Sequence, residues 1–422
     1  MKNIFYILLV TSLFSCKTEQ NSLVDTGNEY PANEIIHAMN NSQESMDKPY
    51  VVLVSIDGFR YDYPQMYEAP NLLSFDASAT KMIPSFPSKT FPNHYTIVSG
   101  LYPGHNGLVS NEFYNPELKE MYAIRDRGAV ENGAYYKGTP LWVLASQNQM
   151  VSASMFWVGS EAPIQNTYPN YYFRYSGSVS YDKRVNQTIK WLEMPAETRP
   201  HFVTLYFSIT DDVGHKYGPN SKEMAEAVKS IDLTIGDLKA RLAQLNLPIN
   251  LIVVSDHGMV EVNRTDVIYP EEIVPKGVTA STSFPLMVYS SNQTMIDSMY
   301  HSLKQDSTRF SVYLKSNMPA RFHYSETDPR IGDLLVMPVP PYTFGKKGRA
   351  IKKGSSTHGY DPVDCPKMGA IFYADGPAFI NNSKIDSFEN VDIYPLVSHI
   401  LKIEYEESSI DGSLNSLSTL LK

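Results

Sequence analysis

Tyr50-Val51-Val52-Leu53-Val54-Ser55-Ile56-Asp57-Gly58 decides the fold. Its apolar residues are consecutive and mostly β-branched, without the alternation of a strand that faces water on one side. Such a run reads as a strand buried on both faces, as in a parallel sheet covered by helices. Two more runs, 202–209 and 251–255, end the same way, the first before Asp211 and the second before Asp256. Helical patterns lie between and around them at 69–79, 140–149, 183–193 and 221–245. The last is amphipathic, with Met224, Val228, Ile231, Ile235 and Leu238 on one face. Alternating strands and helices predict a three-layer α/β/α sandwich with a central, mostly parallel sheet.

The region 260–350 reads as a smaller α+β insertion. It holds short strand patterns at 284–289 and 333–337 and a basic loop at Lys346-Lys347-Gly348-Arg349. The chain then returns at His358 and closes with a strand at 370–373 and a helix at 391–401.

At the N-terminus, Lys2 precedes an apolar run at 4–14, too short to span a bilayer, that ends in Leu13-Phe14-Ser15-Cys16. This predicts a lipoprotein signal peptide over 1–15, an acylated Cys16, a polar tether over 16–48 and a catalytic domain over 49–422. The expected location is the cell envelope, lipid-anchored at the periplasmic or outer-membrane face. The chain has only 2 cysteines, so the mature protein, with Cys16 acylated, has no intramolecular disulfide. A net charge of −9 argues against nucleic-acid scaffolds as partners, though not against a nucleotide substrate at a metal centre.

All three strand runs deliver an Asp at or just beyond their carboxyl ends, where open α/β sheets build ligand sites. Asp211 and His215 are spaced for one side of a helical turn. Asp256-His257 puts two different ligand types on one turn, and His358-Gly359 adds a third imidazole. Each motif alone is explained by an ordinary turn or ion pair. Together they read as a carboxylate–imidazole metal site, suited to Zn²⁺ with Mn²⁺ or Fe as alternatives. Thr90, in Pro84-Ser85-Phe86-Pro87-Ser88-Lys89-Thr90-Phe91-Pro92-Asn93-His94-Tyr95, is an inert hydroxyl until something removes its proton. A metal on its oxygen would make it a nucleophile, and two metals would clamp an in-line phosphoryl displacement.

These motifs resemble the nucleotide pyrophosphatase/phosphodiesterase family of the alkaline phosphatase superfamily. The likeness is carried by Asp57-Gly58-Phe59-Arg60, Lys89 through Tyr95, Ser99-Gly100-Leu101-Tyr102-Pro103, Phe156-Trp157-Val158-Gly159-Ser160, Gly214-His215-Lys216-Tyr217-Gly218-Pro219, Ser255-Asp256-His257-Gly258-Met259, His358-Gly359-Tyr360-Asp361 and Phe388-Glu389-Asn390-Val391. The resemblance implies an alkaline-phosphatase-like fold and two zinc ions. Asp211, His215 and His358 would hold one; Asp57, Asp256, His257 and the Thr90 oxygen would hold the other. It also implies a phospho-threonine intermediate, a phosphate contact from Asn111, and a nucleobase between Phe91 and Tyr175.

Charge counting favours a diester. Two divalent cations against three aspartates and a Thr90 alkoxide leave a neutral site. A monoester would bring a second negative charge and find only the neutral Asn111. Arg125 and Arg127 are the nearby cations in sequence that could meet a terminal phosphate. The activity expected is release of nucleoside 5′-monophosphates from phosphodiester or pyrophosphate bonds. The alternatives are a hydrolase of the same fold acting on a lysophospholipid, glycerophosphodiester or phosphonate, and a non-catalytic surface lipoprotein.

Overall fold

At the centre of the molecule the Tyr50–Ile56 strand lies between Phe202–Phe207 and Ile249–Val254, parallel to both. This arrangement comes from a computed structural model that describes residues 33–306, 308–324, 327–351 and 355–422. The signal segment, Cys16 and tether residues 16–32 lie outside the described residues. No helix among the described residues is long and apolar enough to cross a membrane.

The full sheet has nine strands. On one side of the central three it continues through Ser152–Met155 and Tyr171–Tyr172, both parallel, to an antiparallel edge at Ile35–Ile36. On the other side Phe372–Asp375 runs antiparallel, followed by Ala77–Ile83 and Ser383–Glu389, parallel to each other. Strand residues alternate between faces, and the Tyr50–Ile56 strand divides accordingly. Val52, Val54 and Ile56 pack with Met224, Val228, Ile231 and Ile235 of the Lys222–Leu242 helix. Val51 and Leu53 face the opposite core, with Tyr95, Ile97 and Val98 of the Thr90–Ser99 helix and Val397 of Ile393–Leu401. Helices therefore cover both faces, as the unbroken apolar runs require. Residues from Thr279 to Pro338 form a separate four-stranded antiparallel sheet, with the Gln293–Leu303 helix and its own core of Leu286, Val288, Ile296 and Val336.

Register positions the site. Ile56 pairs with Phe207 and Ser55 with Val254, so the three central strands stop almost level. Asp57, the turn before Asp211, and Asp256 therefore emerge side by side. Gly58 sits at φ +66°, and a Cβ there would stand 3.0 Å from the Asp211 Cα, so the Asp57 turn closes against Asp211 only with glycine at that position.

Two local expectations change, and one helix had not been expected. The helix expected over 69–79 is only Pro70–Leu73, and Ala77–Ile83 is a strand. Ser74 bonds the Asn71 carbonyl at 2.7 Å and closes the helix. The following alternation then pairs with Ser383–Glu389, far away in sequence. The proline-rich stretch around Thr90 is not wholly irregular: Thr90 is the first residue of a ten-residue helix. The closing strand is Phe372–Asp375 in place of 370–373, because Ala370 bridges to Arg60 and Met82.

The Thr90 helix is buttressed from behind. Asn93 accepts from the Ser85 amide and donates to the Pro87 and Lys89 carbonyls, pinning the loop to its helix. Asn390 donates to Asn93 at 2.9 Å and accepts from Ser85 at 2.7 Å. The neighbouring Asp392 accepts from the Ser413 amide at 2.8 Å, and burial pushes its carboxyl up to about 6. A raised carboxyl contributes stability below its unfolded value, about 3.9, and loses it as pH rises through the folded value. Asp392→Asn keeps the acceptor and removes the charge. By thermal denaturation it should melt about 2–4 °C above the parent at pH 8 and level with it at pH 4. A variant that melts lower at pH 8 would show that the ionised form is needed.

Candidate active site

The structure brings Asp57, Thr90, Asp211, His215, Asp256, His257 and His358 together at the carboxyl ends of the central strands. Asp211 and His215 lie one turn apart on the Ile209–Tyr217 helix. The neighbouring Asp212 accepts from Ser208 Oγ at 2.9 Å. His358 arrives on the loop after Ser356–Thr357 and is tied to the Thr90 loop, its Nδ1 3.0 Å from the Ser88 carbonyl.

The imidazoles share one orientation. Nδ1 of His215 faces the Ser356 carbonyl at 3.0 Å, and Nδ1 of His257 faces the Gly258 carbonyl at 2.9 Å. A carbonyl only accepts, so in all three rings Nδ1 carries a hydrogen. In the neutral ring, Nε2 is then a bare lone pair. These lone pairs point at carboxylates: His215 Nε2 is 3.3 Å from Asp211 Oδ1, and His358 Nε2 is 3.7 Å from the same atom. His257 Nε2 is 3.0 Å from Asp256 Oδ2 and 3.5 Å from Asp57 Oδ1. Those same oxygens, Asp57 Oδ1, Asp211 Oδ1 and Asp256 Oδ2, are buried with no hydrogen-bond partner among the described residues. Lone pairs facing one another away from water need a proton or a metal ion between them. Three overlapping sets, Asp211–His215–His358, Asp57–Asp211–His257 and Asp57–His94–Asp256, each have ligand atoms within 4.8 Å of one another. The residues therefore fit a metal centre of mixed oxygen and nitrogen donors.

Burial and mutual charge displace these groups from their ordinary values. Burial raises Asp57 well above the usual carboxylate range, helped by Asp256 and Asp211 nearby. Burial also raises Asp211, although His215 and His257 pull it down. Asp256 is buried too, yet His257 and His94 hold it below the ordinary range. His358 is driven well down, first by burial and then by His257, Lys89 and His215.

Thr90 Oγ1 lies 3.2 Å from His257 Nε2, inside this cluster. At the first turn of a helix it sits where backbone N–H groups attract anionic oxygens. Asn111 accepts the Phe91 N–H on its Oδ1 at 3.0 Å, which leaves its amide hydrogens to donate elsewhere. Phe91 and Tyr175 line one cleft of about 260 Å³ that opens from Thr90, together with Ile124, Phe156 and Tyr206. Arg125 and Arg127 are already committed: Arg125 to Glu112 at 3.0 Å, and Arg127 to Glu131 at 2.8 Å and to Glu161.

Some participants were not read from sequence. Tyr206 donates to Asp57 Oδ2 at 2.7 Å and fixes that carboxylate. His94 places Nδ1 2.9 Å from the Thr90 carbonyl and 3.4 Å from Asp256 Oδ2. The spacing of four between Thr90 and His94, once a helix is assigned there, is the signal that would have found it.

Residues 51–361 match the family described as type I phosphodiesterase / nucleotide pyrophosphatase. Mouse ectonucleotide pyrophosphatase/phosphodiesterase family member 1 is 33% identical over 395 residues, covering 88% of this chain and 43% of that protein. Venom phosphodiesterase 2 of Crotalus adamanteus is 33% identical over 87% of this chain and 47% of its own length. The chain thus spans less than half the length of these curated relatives. Among solved structures, murine ectonucleotide pyrophosphatase/phosphodiesterase 5 superposes with a TM-score of 0.81 at 28% identity, covering 88% of this chain and 100% of that one. An inactive threonine-to-alanine form of the same murine protein, in complex with AMP, gives a TM-score of 0.82 at 28% identity, covering 89% of this chain and 100% of that one.

Proposed function

The chain belongs to the type I phosphodiesterase / nucleotide pyrophosphatase family, and from that premise we propose that it hydrolyses phosphodiester or pyrophosphate bonds of nucleotides through Thr90. The observation that carries this reading is the set of unpartnered carboxylate oxygens and imidazole Nε2 atoms gathered around the Thr90 hydroxyl. The AMP complex of the murine neighbour supports a nucleotide as substrate.

In this reading Asp211, His215 and His358 would hold one zinc, and Asp57, Asp256, His257 and Thr90 the second. Such ions supply the positive charge that lowers the hydroxyl's pKa and offsets charge on the attacking and leaving oxygens. The chain's own residues do the rest. Thr90 Oγ1 attacks phosphorus in line, the bond to the leaving oxygen breaks, and the nucleotidyl group rests on Thr90 as an ester. Water then attacks the same phosphorus, the Thr90–phosphorus bond breaks, and the 5′-monophosphate departs. The Asn111 amide and the helix N-terminus donate to the nonbridging oxygens as their charge grows. Phe91 and Tyr175 hold the base, a contact worth about 1–3 kcal/mol per stacked ring. A cleft lined by Phe91, Phe156, Trp157, Tyr175 and Tyr206 suits a base better than a lysophospholipid's acyl chain, the competing substrate of the same fold.

Arg125 and Arg127 are paired to glutamates, so neither arginine is free to meet a second phosphate charge. The p-nitrophenyl ester of thymidine 5′-monophosphate should therefore exceed p-nitrophenyl phosphate in kcat/KM by about 100-fold or more. Equal or reversed values would sink the diester reading.

A further inference from the structure

Arg184 lies inside the molecule on the Tyr181–Leu192 helix with no exposed surface, yet no carboxylate among the described residues comes within ion-pair distance of it. A buried guanidinium without an anion is expensive, and an aliphatic side chain would fill the space more cheaply. Its contacts show what it holds. It donates to the carbonyls of Tyr206 at 2.6 Å, Val179 at 3.1 Å and Ser176 at 3.5 Å. Its guanidinium also lies 5.1 Å from the centroids of both the Phe156 and the Tyr181 rings.

These contacts converge on one wall of the cleft beside Thr90. Phe156, Tyr175 and Tyr206 all line that cleft, and Arg184 itself does not. The Tyr175 ring meets Phe156 edge-on at 5.2 Å and Tyr206 at 5.9 Å. Tyr175 is 43% exposed and lies within a surface stretch from Arg174 to Ser178, so its ring has little else beneath it to fix its direction. Arg184 ties down the carbonyls that follow it, the ring on one side and the strand end on the other.

We infer that Arg184 is a positioning residue for base recognition: its planar fork joins the Tyr175 segment, the Phe156 ring and the end of the Tyr206 strand into one rigid wall. The inference rests on the reading of Phe91 and Tyr175 as base contacts. Lysine cannot replace it, because a single ammonium does not span three carbonyls and two ring faces.

The test compares the full-length parent, Arg184→Lys, Arg184→Met and Tyr175→Ala on two diesters. One is the p-nitrophenyl ester of thymidine 5′-monophosphate; the other is bis-p-nitrophenyl phosphate, which has no nucleobase. For Arg184→Lys, KM for the nucleotide ester should rise about tenfold with kcat within about threefold, while kcat/KM for the base-free diester falls less than about threefold. Trypsin should also cut after Arg174 faster in the variant, a readout that does not depend on turnover. Arg184→Met should lower the nucleotide preference further; if it does not fold, Arg184→Lys decides. Equal losses on both diesters, or an unchanged ratio, would overturn the inference. A lowered ratio in Tyr175→Ala with none in Arg184→Lys would overturn it alone. An unchanged ratio in Tyr175→Ala would remove the base-contact reading and the Arg184 inference with it.

Discussion

Thr90→Ala should lower kcat on the p-nitrophenyl ester of thymidine 5′-monophosphate by about 10⁴-fold or more, equivalent to roughly 5–6 kcal/mol of transition-state stabilisation. The substitution removes the attacking atom and little else. Thr90 Oγ1 has one hydrogen-bond partner among the described residues, His257 Nε2, and the helix it opens is pinned through Asn93 and Asn390. The melting temperature should therefore stay within a few degrees of the parent, which separates loss of chemistry from loss of fold. Thr90→Ser keeps the hydroxyl but loses the methyl that restricts χ1, and should fall by about 10–100-fold. An alanine variant that retains a tenth of parental turnover would remove Thr90 from the reaction.

Chelation should be nearly as damaging. Stripping the protein and assaying without added metal should cost about 10³-fold or more in kcat/KM, and Zn²⁺ should restore it. Stability should follow in a pH-dependent way. In the metal-free fold Asp57 and Asp211 are raised, chiefly by burial, so their contribution is present below about pH 4 and is lost as pH climbs through their folded values. Asp256 and His358 act in the opposite sense, but the Asp256 contribution is already complete by about pH 5, so between about pH 5 and 8 only His358, depressed chiefly by burial, opposes the two aspartates. Differential scanning calorimetry should show the stripped protein melting further below the loaded one at pH 8 than at pH 5. Full activity after chelation, or a gap that narrows with rising pH, would contradict the metal reading.

The central strands and their aspartates were legible in the sequence because a strand buried on both faces cannot hide its composition. The Tyr50–Ile56 run shows on its own which way the chain is covered. The Ala77–Ile83 strand was not legible: its alanines suit a helix, and its partners, Ser383–Glu389 and Phe372–Asp375, lie some 300 residues on. The Thr90 helix was obscured by prolines, since what stabilises it is Asn93 reaching Ser85, Pro87 and Lys89, a tertiary arrangement. Tyr206 and Arg184 were invisible for a related reason. Each sits in an ordinary apolar strand or amphipathic helix, and its role exists only through carbonyls and carboxylates brought from elsewhere. The imidazole orientations could not be read either, because the Ser88, Gly258 and Ser356 carbonyls that set them carry no side-chain signature.

The central claim is that phosphorus passes through Thr90 before it reaches water. Stereochemistry at phosphorus tests this directly. A nucleotide phosphorothioate diester of one configuration, hydrolysed in isotopically labelled water, should give product with net retention, the sum of two in-line inversions. Net inversion would mean that water attacks the substrate in a single step, and the account of Thr90 as nucleophile would be wrong.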